Sequence, residues 1–515
     1  MNPFQLPRLL PAILALSAAA ALAEVKLPPA ISDHMVLQRE FAAPIWGTAA
    51  PGEAISVSIS GQTKTTKADE KGNWKVKLAP LKVAEGLTLT VKGTNTIEIK
   101  DVLVGEVWVG SGQSNMDMLA KSYTAGDPVL AKAVAETYPK LRLLSKGRKG
   151  WEEATPANNE NFSALLFSFG FRLQQELKIP VGIMVGAVGG TPSGYWLTEE
   201  MYRSDAACQA QVRQFAATYD FDAAMKKYDE DLVKWKEAAE LAKKENKKPP
   251  GQPRPPTKAG ESGGKIGNLY EAHMRPYVGY GIRGVLWDQG ESGTAITGVD
   301  QYTLMGALIR GWRKVWDQGD FPFLYIQKPS GGGPAWDYEN EVTKNASKFG
   351  PLPAAVPGDG AYRETHIKIA SYPKTAMVIA TDLGSGTHPT NKSGYGARAV
   401  RVAQGFVYGE KVEYYGPVYA SHKVEDGKVR IQFTHTGKGL AARHADKLQG
   451  FAIAGEDRKF VWADAVIDGD SVVVSSATVA KPATVRYAWA GSFPWANLFN
   501  KDGLPAQTFR TDEWK

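Results

Sequence analysis

Cysteine is almost absent from this chain. Cys208 stands alone, so no internal disulfide can form and stability must come from apolar cores. The hydrophobic share, 43%, can supply them. Long apolar runs are missing too. The stretch 9–22 is apolar but short and alanine-rich, below the ~20 residues that a spanning helix needs, and no later stretch approaches it. It follows a single positive charge, Arg8, and ends in Ala21-Leu22-Ala23. That pattern predicts a signal peptide over residues 1–23, cut before Glu24, and an exported, soluble mature protein in the periplasm or outside the cell. A strong excess of one charge is also lacking: +7 over 515 residues is a mild bias that points to neither nucleic acid nor a membrane surface. No H-E-x-x-H, C-x-x-C or P-loop occurs, so neither a metal nor an organic cofactor is expected.

At ~150 residues per domain, the length predicts roughly three domains. Residues 24–100 read as all-β, with period-two alternation over 55–59, 74–78 and 87–91 and glycine at turn-like places. Short strands so spaced predict a small β-sandwich module. From Asp101 the pattern changes to alternating strands and helices, an α/β unit over 101–412. Strand 102–109 comes first. Ser163 is a good N-cap for a helix over 164–177, and 181–188 is a continuous apolar run of parallel-strand type. Later units are strand 284–287, helix 302–316, strands 321–327 and 375–381, and helix 394–406. Residues 199–262 interrupt the scheme with a lysine-rich amphipathic helix over 223–246 and a proline-rich connector, read as an exposed excursion. Residues 413–515 return to short alternating strands, a second β module placed to pack against the first.

The chemistry centres on Gly110-Ser111-Gly112-Gln113-Ser114-Asn115, where an apolar strand feeds a glycine turn that exposes Ser114. In α/β sheets, active residues gather at the carboxyl ends of strands. A serine hydroxyl attacks a carbonyl only with a base to take its proton. Of seven histidines, only His388 follows an inferred sheet strand. A tetrahedral intermediate also needs donors for its oxyanion; the Ser114 amide, the Gly190 amide and the Gln289 carboxamide all fall at strand ends. Two other classes compete. Trp489, Phe493 and Trp495, if exposed, would suit a non-catalytic carbohydrate-binding protein. Gly110 and Gly112 after a strand look like a dinucleotide loop, although position 115 is Asn where the third glycine belongs.

Five motifs in order, Gly112-Gln113-Ser114-Asn115-Met116, Gly189-Gly190-Thr191-Pro192, Gln289-Gly290-Glu291-Ser292, 321–327 and His388-Pro389-Thr390-Asn391-Lys392, resemble the sialate O-acetylesterase family of SGNH-type hydrolases. The likeness extends to Met35-Val36-Leu37-Gln38-Arg39 and to 497–509, nearly the whole mature chain. It implies an SGNH-like three-layer sheet flanked by β-sandwich modules, and a carbohydrate O-acetylesterase acting on an acetylated glycan or sugar without a cofactor. Ser114 would be the nucleophile and His388 the base, with Ser114, Gly190 and Gln289 forming the oxyanion hole. Acetylated sialic acid, xylan and other plant polysaccharides are all open as substrates. The chain departs from the family in one place. Many relatives carry an aspartate two residues before the histidine; here that position is Gly386. Asp382, Asp288, Glu291 or a backbone carbonyl are the alternatives for orienting His388.

Overall fold

One strand, β1 (Thr96–Gly112), runs from the N-terminal module into the centre of the molecule. Its sequence explains the change of surroundings. Residues 96–99 alternate polar and apolar, with one face exposed, whereas 102–112 are buried throughout, as a strand covered on both faces requires. The boundary read at 100/101 is therefore not a linker. Asp101, at φ 51°, interrupts the alternation within a continuous strand. The computed structural model describes residues 24–514; the expected signal peptide lies outside them.

Behind β1, the strands Ala54–Ile59, Gln62–Lys67 and Ala84–Lys92 pair antiparallel, and Pro44–Thr48 pairs with Asn73–Lys77. Their apolar faces share one core, which includes Ile45, Ile55, Val57, Trp74 and Val91. Ahead of it, β1 pairs in parallel with β3 (Val181–Ala187) on one side and β4 (Gly284–Asp288) on the other. β2 (Tyr138–Ser145), β5 (Phe323–Ile326) and β6 (Thr375–Val378) complete the order β2-β3-β1-β4-β5-β6, all parallel. Helices α2 (Ala164–Leu177) and α6 (Lys392–Val402) cover one face with Trp108, Leu286 and Leu324. Helix α4 (Gln301–Trp316) covers the other with Val107, Val109, Trp287 and Phe323. Successive side chains of one strand thus feed opposite layers. Ser163 caps α2 as its sequence predicts, its hydroxyl accepting from the Leu166 amide at 3.1 Å. The short helix α1 (Ser114–Asp117) follows β1 directly.

The excursion divides. Met201, Tyr202 and Cys208 join the core, while α3 (Phe221–Lys244) has no buried residue; the proline-rich return packs on it through Trp235 Nε1 donating to the Pro250 carbonyl at 2.8 Å. The C-terminal strands form small antiparallel sheets around Val429, Ile431, Phe451, Val472 and Tyr487. That core shares no residue with the N-terminal one. The module instead docks on the α/β unit, where buried Arg363, on α5 (Ala361–Ile369), donates to the carbonyls of Gly331 and Gly491. Trp489, Phe493 and Trp495 are buried at 5%, 3% and 5% exposure. They are packing residues, and the exposed aromatic surface that a glycan-binding module would need is not built from them.

Candidate active site

Gly112 makes the turn possible. At φ 129°, a Cβ there would stand 2.0 Å from the Asp288 carbonyl of β4, so only glycine lets β1 and β4 approach this closely. The same carbonyl accepts from the Gln113 amide at 2.8 Å, which fixes the start of α1. Ser114, the first residue of that helix, is 8% exposed. Its Oγ lies 2.8 Å from Nε2 of His388, which arrives from the loop after β6. Two residues 274 positions apart therefore meet at the carboxyl edge of one sheet. The geometry suits transfer of a proton between hydroxyl and imidazole.

The other histidines are engaged elsewhere. His34 pairs with Asp101, His435 with Glu413, His422 with Tyr419 and His444 with the Ala335 carbonyl. His273 stacks near Trp196. His366 is wholly buried with neither ring nitrogen hydrogen-bonded, and burial pushes it down to about 3. His388 alone faces the serine.

The groups expected to serve an oxyanion divide. Gly189 stands beside Ser114; a Cβ there would lie 3.4 Å from the Ser114 Cβ. Its amide donates to Asp117 at 3.0 Å, and Asp117 in turn accepts from Lys146 at 2.6 Å. Asp117 and Lys146, neither singled out by the sequence, thus tie the Gly189-Gly190 turn to the helix that begins at Ser114. Gly190 follows at φ 72°. Gln289 is different. Its amide nitrogen donates to the carbonyls of Thr191 at 3.4 Å and Gly293 at 3.0 Å, and its oxygen accepts from Gln301 at 3.0 Å. Both N–H groups are spent, so Gln289 braces the loop behind the site and offers no free donor. The reason is burial, since a carboxamide at 1% exposure must satisfy itself internally.

Asp382 is not brought to His388. Its two oxygens accept from both ends of the Arg398 guanidinium at 3.1 and 2.8 Å, a buried fork that leaves nothing for an imidazole. The alternatives are also taken. Glu291 forms an ion pair with Lys328 at 2.7 Å and accepts from Gln113 at 2.5 Å. Asp288 lies 2.8 Å from Lys328, both fully buried; that contact is an ion pair without hydrogen-bond alignment. Among the described residues Nδ1 of His388 has no hydrogen-bond partner.

One His–carboxylate group among the described residues brings three ligand atoms together, His34, Asp101 and Glu153. Arg142 already sits 2.7 Å from Asp101, and its charge occupies the place a cation would take.

No protein-family model matches the chain. It is similar to the sialate O-acetylesterase of Mus musculus, 26% identical over 516 residues that cover 89% of this chain and 88% of that protein. The sialate O-acetylesterase of Pongo abelii is 25% identical over 513 residues, 89% and 86% of the two chains. The crystal structure of a carbohydrate acetylesterase from Xanthomonas citri is similar with a TM-score of 0.72 and 30% identity, over 95% of this chain and 100% of that one.

Proposed function

The chain belongs to the sialate O-acetylesterase family of carbohydrate esterases, and from that premise we propose that it removes O-acetyl groups from sugars with Ser114 as nucleophile and His388 as base. The observation that carries this reading is the 2.8 Å contact between Oγ and Nε2. In the first step His388 takes the hydroxyl proton as Oγ adds to the acetyl carbonyl. The amides of Ser114 and Gly190 stabilise the oxyanion; as backbone donors on fixed turns they need no reorganisation. As the bond from the acetyl carbon to the sugar oxygen breaks, His388 gives its proton to that oxygen and the sugar leaves as an alcohol. An acetyl-serine remains, and a water deprotonated by the same imidazole releases acetate.

The substrate is an O-acetylated sugar. The mammalian relatives are named for sialate and the bacterial one for carbohydrate in general, so acetylated sialosides and acetylated plant polysaccharides are the two classes to compare. Acetate release from sialosides, xylan and pectin, measured beside p-nitrophenyl acetate turnover, separates them. Ser114→Ala should lose ~10⁴-fold or more in kcat. Equal turnover by variant and wild type would end the esterase reading at this serine.

We propose also that residues 1–23 direct export. N-terminal sequencing of secreted protein should begin at Glu24; a chain retaining Met1 would contradict it. Among the described residues no helix is long and apolar enough to cross a membrane.

A further inference from the structure

A histidine that serves a serine nucleophile usually has its ring held from behind by a carboxylate, and losing that support costs up to ~10⁴-fold in rate. Here every nearby acid is committed elsewhere, yet the imidazole is in line. Something else must hold the loop. Asn115, the residue after the nucleophile, is 1% exposed. Its Nδ2 donates to the carbonyl of Thr387 at 2.9 Å, the residue directly before His388. Its Oδ1 accepts from Nζ of Lys392 at 2.6 Å, four residues after that histidine and the first of α6. One side chain thus grips the histidine's segment on both sides.

Lys392 is an expensive way to fill this space. Its side chain is fully buried, with Nζ 4.6 Å from the Tyr123 ring centre and 5.5 Å from that of Tyr395. Burial pushes the ammonium down to about 7. Apolar groups of similar volume would pack there at less cost. Around it the loop is fastened again, by Ser393 donating to Asp127 from its amide at 2.7 Å and its hydroxyl at 2.8 Å. These contacts start α6; the Asn115 contacts aim the histidine.

We propose that Asn115 and Lys392 are positioning residues, a two-sided clamp that fixes His388 on Ser114 in place of a triad carboxylate. The inference rests on the Ser114–His388 reading above. It holds that the clamp sets the rate of the chemical step and leaves sugar binding alone, because neither side chain is exposed to the substrate.

Steady-state kinetics on p-nitrophenyl acetate and an acetylated sugar test it, using Lys392→Met, Asn115→Ala and their double variant in the full-length chain. Each single variant should lower kcat ~10–100-fold, the loss typical of a misplaced catalytic group, with KM within about 3-fold. The double variant should lose no more than the worse single one, because both act through one loop. Asn115→Asp, which keeps an acceptor for Lys392 but loses the donor to Thr387, should fall between wild type and Asn115→Ala. Wild-type kcat in both single variants, or losses that multiply in the double, would overturn the clamp while Ser114→Ala remains dead. If Ser114→Ala retains turnover, the underlying reading falls and the clamp with it. Failure of Lys392→Met to fold would mark that lysine as structural and overturn its assigned role.

Discussion

Lys392→Met also makes a thermodynamic prediction that can be worked in numbers. Burial is the largest influence on the amine; the Asp288, Glu291 and Asp127 carboxylates favour its charge and Lys328 opposes it, and the balance lowers it from 10.5 to about 7. At about 1.36 kcal/mol per pH unit, that fall costs the folded protein about 5 kcal/mol when the amine is charged. The sign follows from proton counting. Below pH 7 both states carry the proton and the whole penalty is present. Between about 7 and 10.5 the folded protein releases it while the unfolded chain keeps it, so wild-type stability gains up to about 1.4 kcal/mol per pH unit from this group. Methionine abolishes that slope. It also leaves Oδ1 of Asn115 unpaired, a cost of ~1–3 kcal/mol that does not vary with pH. Urea unfolding of both proteins at about pH 6 and pH 9 isolates the lysine, since every other titrating group is common to the two. The stability difference, variant minus wild type, should fall by about 2–3 kcal/mol from the lower to the higher pH. Parallel pH dependences would refute the reasoning, since they would mean that the amine titrates alike in folded and unfolded chains.

Three further outcomes follow from the same geometry. Asp382→Asn should destabilise the protein by ~3–5 kcal/mol by leaving Arg398 buried without its counter-charge, while kcat of the folded enzyme stays within about 10-fold; a ~10⁴-fold loss at unchanged stability would make Asp382 the orienting acid after all. Asp117→Ala releases both the Gly189 amide and Lys146, so kcat should drop ~10–100-fold through the oxyanion turn, and an unchanged kcat in steady-state assays would show that the turn holds itself. Lys328→Met strips the cation from Asp288 and Glu291 and should cost ~3–5 kcal/mol at neutral pH. Burial already raises the Asp288 carboxyl, so the loss should shrink toward acid pH as that group takes up a proton; a loss that grows on acidification, seen in urea titrations, would contradict this.

Much of the fold was legible because its causes are local. Ser163 before an apolar helical face and the run 181–187 of a doubly covered strand each act within a few residues, whereas Gly112 answers to the Asp288 carbonyl of a strand far along the chain. Ser114 and His388 could be singled out for the same local reason: both follow sheet strands closely in the chain, and the motif order resembles a known family. β2 escaped notice because Tyr138-Pro139-Lys140-Leu141-Arg142 mixes polar and apolar residues without a clear period. Its buried arginine is neutralised by Asp101, 41 positions away.

What the sequence could not decide is how each charge and amide is used. Asp382, Gln289 and Glu291 were all reasonable for the site by position, and no local pattern named the partners of Arg398 and Lys392. Tertiary packing buried Asp382, Gln289, Arg398 and Lys392 and left Glu291 partly exposed, and a buried polar group must take whatever partner lies within hydrogen-bond reach. Asp382 took Arg398, Gln289 its own loop, Glu291 Lys328, and Lys392 took Asn115. The sequence alone determined most of the elements that form and singled out Ser114 and His388, which the structure brings within 2.8 Å. The three-dimensional structure determined who supports whom, because desolvation depends on neighbours distant in the chain that no local pattern records.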